Sequence, residues 1–331
     1  MTRKEVPEMK NLNIKKGIPY IVLLAIALAA PIFLNTSYWI GVLIMVLYKV
    51  VGSASLRTIS LAGTLTFAHG AFIAIGAYCG GILAVNLNLP PVITILAGGL
   101  FAMVVSVITG LPFVRLKGMY YSMASMFLGV TINYIIKALK ITGGYHGLTR
   151  IPKLLQNDLL CYYVFLAITV VLIIILYRFE HCRIGTTLRA LAQSQDVASS
   201  IGVNATTYRL LAVGMGSFVG GVIGAAYGLY STVLSPTNYD MNFSLWLLMY
   251  MLIGGQGKFI GPIIGAIIFV LIPELGRDLS AYAPFLTGAC TLLVAYLLPD
   301  GLAGIPDLIR SKKAQKATQT NVEGGNENAS A

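Results

Sequence analysis

Histidine and cysteine are the side chains best suited to metal binding, redox and proton transfer, and this chain has three of one and four of the other. Cys79, Cys161, Cys182 and Cys290 are scattered, with no Cys-x-x-Cys pair, so neither a metal site nor a disulfide framework is predicted. His69, His146 and His181 fall in three separate regions, and neither His-Glu-x-x-His nor Gly-x-Ser-x-Gly occurs. Gly257-Lys258 imitates the end of a phosphate-cradling loop. That loop requires Gly-x-x-x-x-Gly-Lys followed by Ser or Thr, and here Phe259 follows the lysine. The expectation is a chain with no catalytic residues, no metal and no cofactor, which does not hydrolyse ATP by itself.

The elements that would position any site are apolar. Of 331 residues, 57% are hydrophobic and 11% charged, against about 25% charged in a soluble domain. Soluble enzyme, nucleic-acid binder and disordered scaffold are therefore poor readings, and an all-α polytopic membrane protein is expected. Stretches near the roughly 20 residues that a spanning helix needs run at 17–35, 37–52, 70–87, 91–114, 119–137, 159–177, 209–231, 243–256, 259–273 and 284–299. That makes about ten transmembrane helices, with 243–256 and 259–273 open to merging. The start imitates a signal peptide, but its apolar run continues through Pro31 to Leu34, which favours an uncleaved first helix. The divisions expected are a cytoplasmic segment at 1–16, a membrane domain at 17–300 and a cytoplasmic, disordered tail at 301–331.

Lys and Arg collect on the cytoplasmic side of membrane proteins. Alternating the spans from a cytoplasmic N-terminus puts Lys49, Arg57, Arg115, Lys117, Arg178, Arg183, Arg189, Arg209 and Lys258 inside with both basic termini, and leaves Lys137, Lys140, Arg150, Lys153 and Arg277 outside. Two loops exceed a tight turn, at 138–158 outside and 178–208 inside. Ser53–Gly70 mixes Ser, Thr and Gly with large apolar residues; a re-entrant or broken helix beside a pathway and a plain cytoplasmic connector both fit it. Gly216, Gly220, Gly224 and Gly228 share one helix face, and Gly257, Gly261 and Gly265 repeat the spacing, as tightly packed membrane helices require. Charges deep in the spans, which would mark ion coupling, are nearly absent.

In the inside loop, Leu and Ala at 188–192 favour helix, Ser194 can cap a second short helix with Asp196 in its first turn, and Gly202 is a natural stop. Ala198, Ser199 and Ser200 keep that helix slim enough to enter a cleft on another protein; a helix lying on lipid is the alternative.

Four stretches, in order, resemble branched-chain amino acid ABC transporter permeases of the LivM/LivH type, and the LivM branch more. They are Gly63–Tyr78; Arg115–Tyr121 with the Thr-Gly-Gly and Gly-Leu of 142–148; Gly185–Asn204; and Gly254–Gly257 running on to Gly261-Pro262 and Gly265-Ala266. The resemblance implies a cell-membrane permease subunit of an importer for branched-chain amino acids, with urea, short-amide or nucleoside permeases as near alternatives. An ion-coupled secondary transporter is the rival class. Implied partners are a second permease subunit (LivH-like, or a second copy), two cytoplasmic ABC ATPase subunits, an extracytoplasmic substrate-binding protein and membrane lipid, with no nucleic acid. The 185–204 stretch matches the family's coupling loop, giving Gly185, Leu188, Arg189, Ala190, Asp196, Ala198, Ser199 and Gly202 as candidates for contact with the ATPase. Thr186, Ala192, Gln193 and Gln195 stand where the family usually has charged residues, so docking here would rely more on shape. Candidates to line the pathway are Thr66, His69, Phe72, Tyr121, Ser125 and Asn133, which put polar or aromatic groups among apolar spans.

Overall fold

The structure, a computed structural model, describes residues 14–33, 36–116 and 118–275, with Gly288, Gly301 and Leu302. Helices follow the apolar runs: α1 (Ile14–Phe33), α2 (Ser37–Ser60), α3 (His69–Leu87), α4 (Pro91–Phe113), α5 (Met119–Ala138), α6 (Asp158–His181), α7 (Arg183–Gln193), α8 (Gln195–Ser200), α9 (Ala205–Ser231), α10 (Met241–Gly254) and α11 (Ile260–Leu275). Among the described residues the extended backbone includes one isolated antiparallel bridge, Leu148 to Leu234. The helix boundaries have local causes. Asn157 and Asn204 accept hydrogen bonds from the first backbone N–H groups of α6 and α9, and Pro91 opens α4 where its missing N–H is not needed.

Six of these helices, α2, α3, α4, α5, α6 and α9, are long and apolar enough to cross a membrane. The runs at 243–256 and 259–273 are two helices rather than one. At 14 and 16 residues, α10 and α11 reach only about 21 and 24 Å at 1.5 Å per residue. They fold back on each other: Gly265 lies against the Tyr250 carbonyl and Gly254 against the Gly261 carbonyl. The expected tenth span, the basic N-terminal segment and the tail after Leu302 lie outside the described residues.

The core is built around α9, which packs on α2, α3 and α4. Its glycine stripe faces α2 and α3. Gly216 meets Ile59, Gly220 meets His69 and Ile73, and Gly224 meets the Ile73 carbonyl. Gly228 is looser, beside Leu234. Gly257 is not packed on any described residue, none of which lies within 4 Å of where its Cβ would stand. A second crossing is tighter. Gly76 of α3 abuts the Gly221 backbone of α9, while Gly98 and Gly99 of α4 close on the same point. The spacing of these glycines within any one helix gave no sign of it.

The largest departure from the expected boundaries is α2, which runs eight residues beyond 52, to Ser60. Its last turns are buried on every side, with Ser53, Ser55 and Thr58 at 0% exposure. The hydroxyls of Ser55 and Thr58 donate to Gly52 and Ala54 carbonyls of their own helix, so polar side chains that suggested a break are absorbed without one. Lys49, expected near the inside end of a span at 37–52, therefore lies near the middle of α2.

Candidate functional site

Two non-helical segments enter the bundle from opposite ends. After α2 the chain turns at Gly63 (φ +74°), runs unwound to Ala68 and starts α3 at His69. His69 Nε2 is 2.8 Å from Ser55 Oγ, so α3 begins level with a point more than a turn inside α2. From the other end, the stretch after α9 bends through a short 3-10 turn at Pro236–Tyr239 into α10. The helices that follow them meet near their starts, where the Gly70 N–H of α3 donates to Ser244 Oγ of α10 at 3.0 Å. Exposed backbone groups at such depth are tolerated only where protein satisfies them.

The inner face of α5 supplies much of that satisfaction. Ser122 Oγ donates to the Leu65 carbonyl at 2.8 Å. The Phe67 N–H donates to Ser125 Oγ at 3.1 Å. Gly129 lets Ala68 and the Phe67 carbonyl approach. One turn further, Asn133 Nδ2 donates to the carbonyls of Pro236 (2.9 Å) and Tyr239 (3.1 Å). Ser122, Ser125, Gly129 and Asn133 are three or four residues apart and so share a face, and one helix clasps both segments.

Five of the six pathway candidates make polar contacts in this assembly. Thr66 accepts from the Ala68 N–H, the Tyr121 hydroxyl interacts with Thr64 and Thr66, and His69, Ser125 and Asn133 bond as described. Phe72 is buried in the adjoining core. All six are buried within the single chain. Four of them bind backbone or an internal hydroxyl, and so they fix the unwound segments.

At the end where α2 and α6 finish and α9 starts, Arg57, Arg178, Arg183, Arg189, Arg209 and Lys258 gather, the pattern expected of a cytoplasmic end. There α7 and α8 form an elbow. Ser194 caps α8, its Oγ accepting from the Val197 N–H at 3.4 Å, Asp196 stands in the first turn, and Gly202 (φ +85°) follows the helix. The coupling candidates divide by orientation. Leu188 is buried against Ala62 and Ala212. Ala198 is buried with Leu191 and Ala205, and Gly185 is pressed on the Glu180 backbone. These three face the chain's own bundle. Arg189, Ala190, Asp196, Ser199 and Gly202 are exposed. Two large apolar residues stand out beside them, Val197 (66% exposed) and Ile201 (76%), one helical turn apart.

Beneath the elbow lies a buried ion cluster. The carboxylate of Glu180, 1% exposed, accepts from Arg57 Nη1 and from Arg189 Nη2 at 2.5 Å. Arg57 Nε also donates to the Gln256 carbonyl at 3.1 Å, and its guanidinium lies 5.7 Å from the Phe259 ring centroid. Gly63 packs on Ala192 alongside. Segments near 63, 189 and 256, from three of the four motif stretches, thus converge on one corner. Sequence reasoning missed Glu180; its one signal was a lone acid between Phe179 and His181 at the end of an apolar run.

Lys49 is the second residue it missed. It lies 12 residues from the start of α2 and 11 from its end. Its ammonium sits 4.1 Å from the Phe243 ring centroid and 5.8 Å from that of Tyr48, within a group where Tyr48 stacks on Tyr227 at 4.3 Å. The ion pairs among the described residues do not include it. A desolvated cation–π contact returns about 2 kcal/mol or more, against about 2.5–3.5 kcal/mol for placing a lysine at the centre of a span.

The family model described as branched-chain amino acid transport system / permease component matches residues 38–298. The chain is 23% identical to the high-affinity branched-chain amino acid transport system permease protein LivM of Escherichia coli (strain K12), over 95% of this chain and 81% of that one. The protein of the same name from Salmonella typhimurium is also 23% identical, over 90% and 77%. The probable LivM permease of Methanocaldococcus jannaschii is 24% identical over 64% and 67%. Among solved structures, PsaBC from Streptococcus pneumoniae in complex with Fab is similar at 13% identity and a TM-score of 0.44, over 85% of this chain and 97% of that one.

Proposed function

Since the chain belongs to the family of branched-chain amino acid transport permease components, a multi-pass class of the cell membrane, we propose that it is the membrane-spanning subunit of an ABC importer carrying branched-chain or related hydrophobic amino acids into the cell. ATP hydrolysis in two cytoplasmic partner subunits drives it, an extracytoplasmic binding protein delivers the solute, and a second permease subunit completes the pathway. The observation that carries this reading is the elbow. A capped helix at the basic end presents Val197 and Ile201 outward while its other face is anchored through Leu188, Leu191 and Ala198. Burying two such side chains in a partner's cleft contributes about 1.5–3 kcal/mol each, and a rigid anchor lets a push at the tip reach the bundle.

The outward faces of two helices support a second permease subunit. That of α4 is almost wholly hydrocarbon, with Val92, Ile93, Leu96, Leu100 and Ile108, as lipid requires. That of α5 carries Met119, Tyr120, Met123, Met126 and Tyr134, and adaptable thioethers and amphipathic rings suit a protein neighbour or a solute better than acyl chains. In this reading Thr66, His69, Ser125 and Asn133 hold the unwound segments in shape, with Phe72 and Tyr121 buried beside them.

Proteoliposomes containing the chain with its cognate ATPase, second permease and binding protein will take up L-leucine only when ATP is present. Val197→Asp and Ile201→Asp will each lower that uptake at least tenfold and weaken ATPase capture, with membrane insertion unchanged. Uptake by this chain without ATPase partners, or collapse of uptake with a protonophore, would defeat the importer in favour of an ion-coupled carrier.

A further inference from the structure

We propose that Lys49 is the cation that meets the carboxylate of the solute at half depth, an inference that rests on the importer reading and names the residue that recognises the charged end of the cargo. Its place in α2 sets it about 16–18 Å from either helix end at 1.5 Å per residue. Half of a hydrocarbon core about 30 Å thick separates it from either layer of lipid headgroups, so a lipid phosphate is out of reach and an anion arriving through the protein is the remaining partner. The rings of Phe243 and Tyr48 lie against the ammonium, and among the described residues no carboxylate is paired with it. Lys49 is of intermediate exposure, beside the buried Tyr48 and Phe243. Phe243, Tyr48 and the stacked Tyr227 provide an apolar wall against which an aliphatic solute can rest while its carboxylate faces the ammonium. An ammonium without a standing counter-ion attracts the carboxylate without an ion pair having to break first, which suits passage better than retention.

A purely structural lysine and a solute-meeting one respond oppositely to Lys49→Met, which keeps the stem and removes the charge. The solute-meeting role predicts a higher melting temperature for the assembled complex, because an unpaired charge has gone, together with at least a tenfold loss of ATP-driven uptake of L-leucine, L-isoleucine and L-valine. Lys49→Arg should keep uptake within about threefold of the parent. Uptake by Lys49→Met equal to the parent would overturn the proposal. A second arm needs no knowledge of the cargo. Lys49→Cys, in a complex whose other cysteines in this chain are replaced by alanine, should react with a membrane-impermeant methanethiosulfonate reagent. Reaction with a lipid-soluble maleimide alone would overturn the assignment. If the parent complex moves none of the three amino acids, the importer reading fails on its own, and the labelling still decides whether Lys49 faces a watery path.

Discussion

Glycine 76 and Gly257 are the same residue type in the same kind of chain, and their surroundings assign them opposite weights. A Cβ at Gly76 would enter the backbone of Gly221, whereas one at Gly257 would meet open space. Neither has a positive φ, so sterics alone separate them. Gly76→Ala is expected to destabilise by about 1–3 kcal/mol or more through overpacking, and Gly257→Ala to be near neutral. Thermal melts of the two purified variants check this; equal melting temperatures would mean that α3 and α9 do not cross where the structure has them. The glycines at 216, 220, 224 and 228 were legible as a stripe because they lie on one helix. The contact of Gly76 with Gly221 was not, because its two halves are 145 positions apart in the chain.

At the scale of elements, the elbow and its anchor have separable roles. Ala198 is part of the elbow's own small core with Leu191 and Ala205, so a bulky residue there would unseat α8 rather than probe a partner. Val197 and Ile201 are the positions that read docking alone. The Glu180 cluster joins the elbow to α2 and to the turn at Gln256. Glu180→Ala removes the one carboxylate beside the Arg57 side chain, 4% exposed, and is expected to cost about 3–5 kcal/mol. Arg189→Ala breaks the half of the cluster whose arginine is 45% exposed and should cost no more than about 1 kcal/mol. Chemical or thermal denaturation of the two variants side by side tests the ranking, and a larger loss for Arg189→Ala would show that the elbow, not α2, carries the charge balance. The helical character of the elbow and its cap at Ser194 could be read from the sequence, since caps and stops act within a few residues. Which face turned inward could not.

For the whole molecule, sidedness follows from the clustering of arginines at the end where the elbow lies. The inside placement of the C-terminus, with Arg310, Lys312, Lys313 and Lys316 in the tail, remains a prediction. A reporter that is active only in the cytoplasm, fused after Ala331, should be active, and one that requires export should be silent; the reverse would imply an odd number of spans. Family membership and helical class were both legible, because hydropathy and short motifs are written in contiguous residues. So were six long spans, the elbow and the polar stretch before His69, each fixed by composition within one or two turns of itself. Tertiary structure decided the rest. It set where α2 ends, because the hydroxyls at 53–60 found partners inside a helix already enclosed by others. It placed four of the six pathway candidates, Thr66, His69, Ser125 and Asn133, in the frame of two unwound segments clasped by α5. It put Lys49 near the middle of a helix long enough to span and Glu180 between two arginines. Each of these depends on groups that meet only after distant helices pack, and burial, not sequence neighbourhood, sets the energy of a charge.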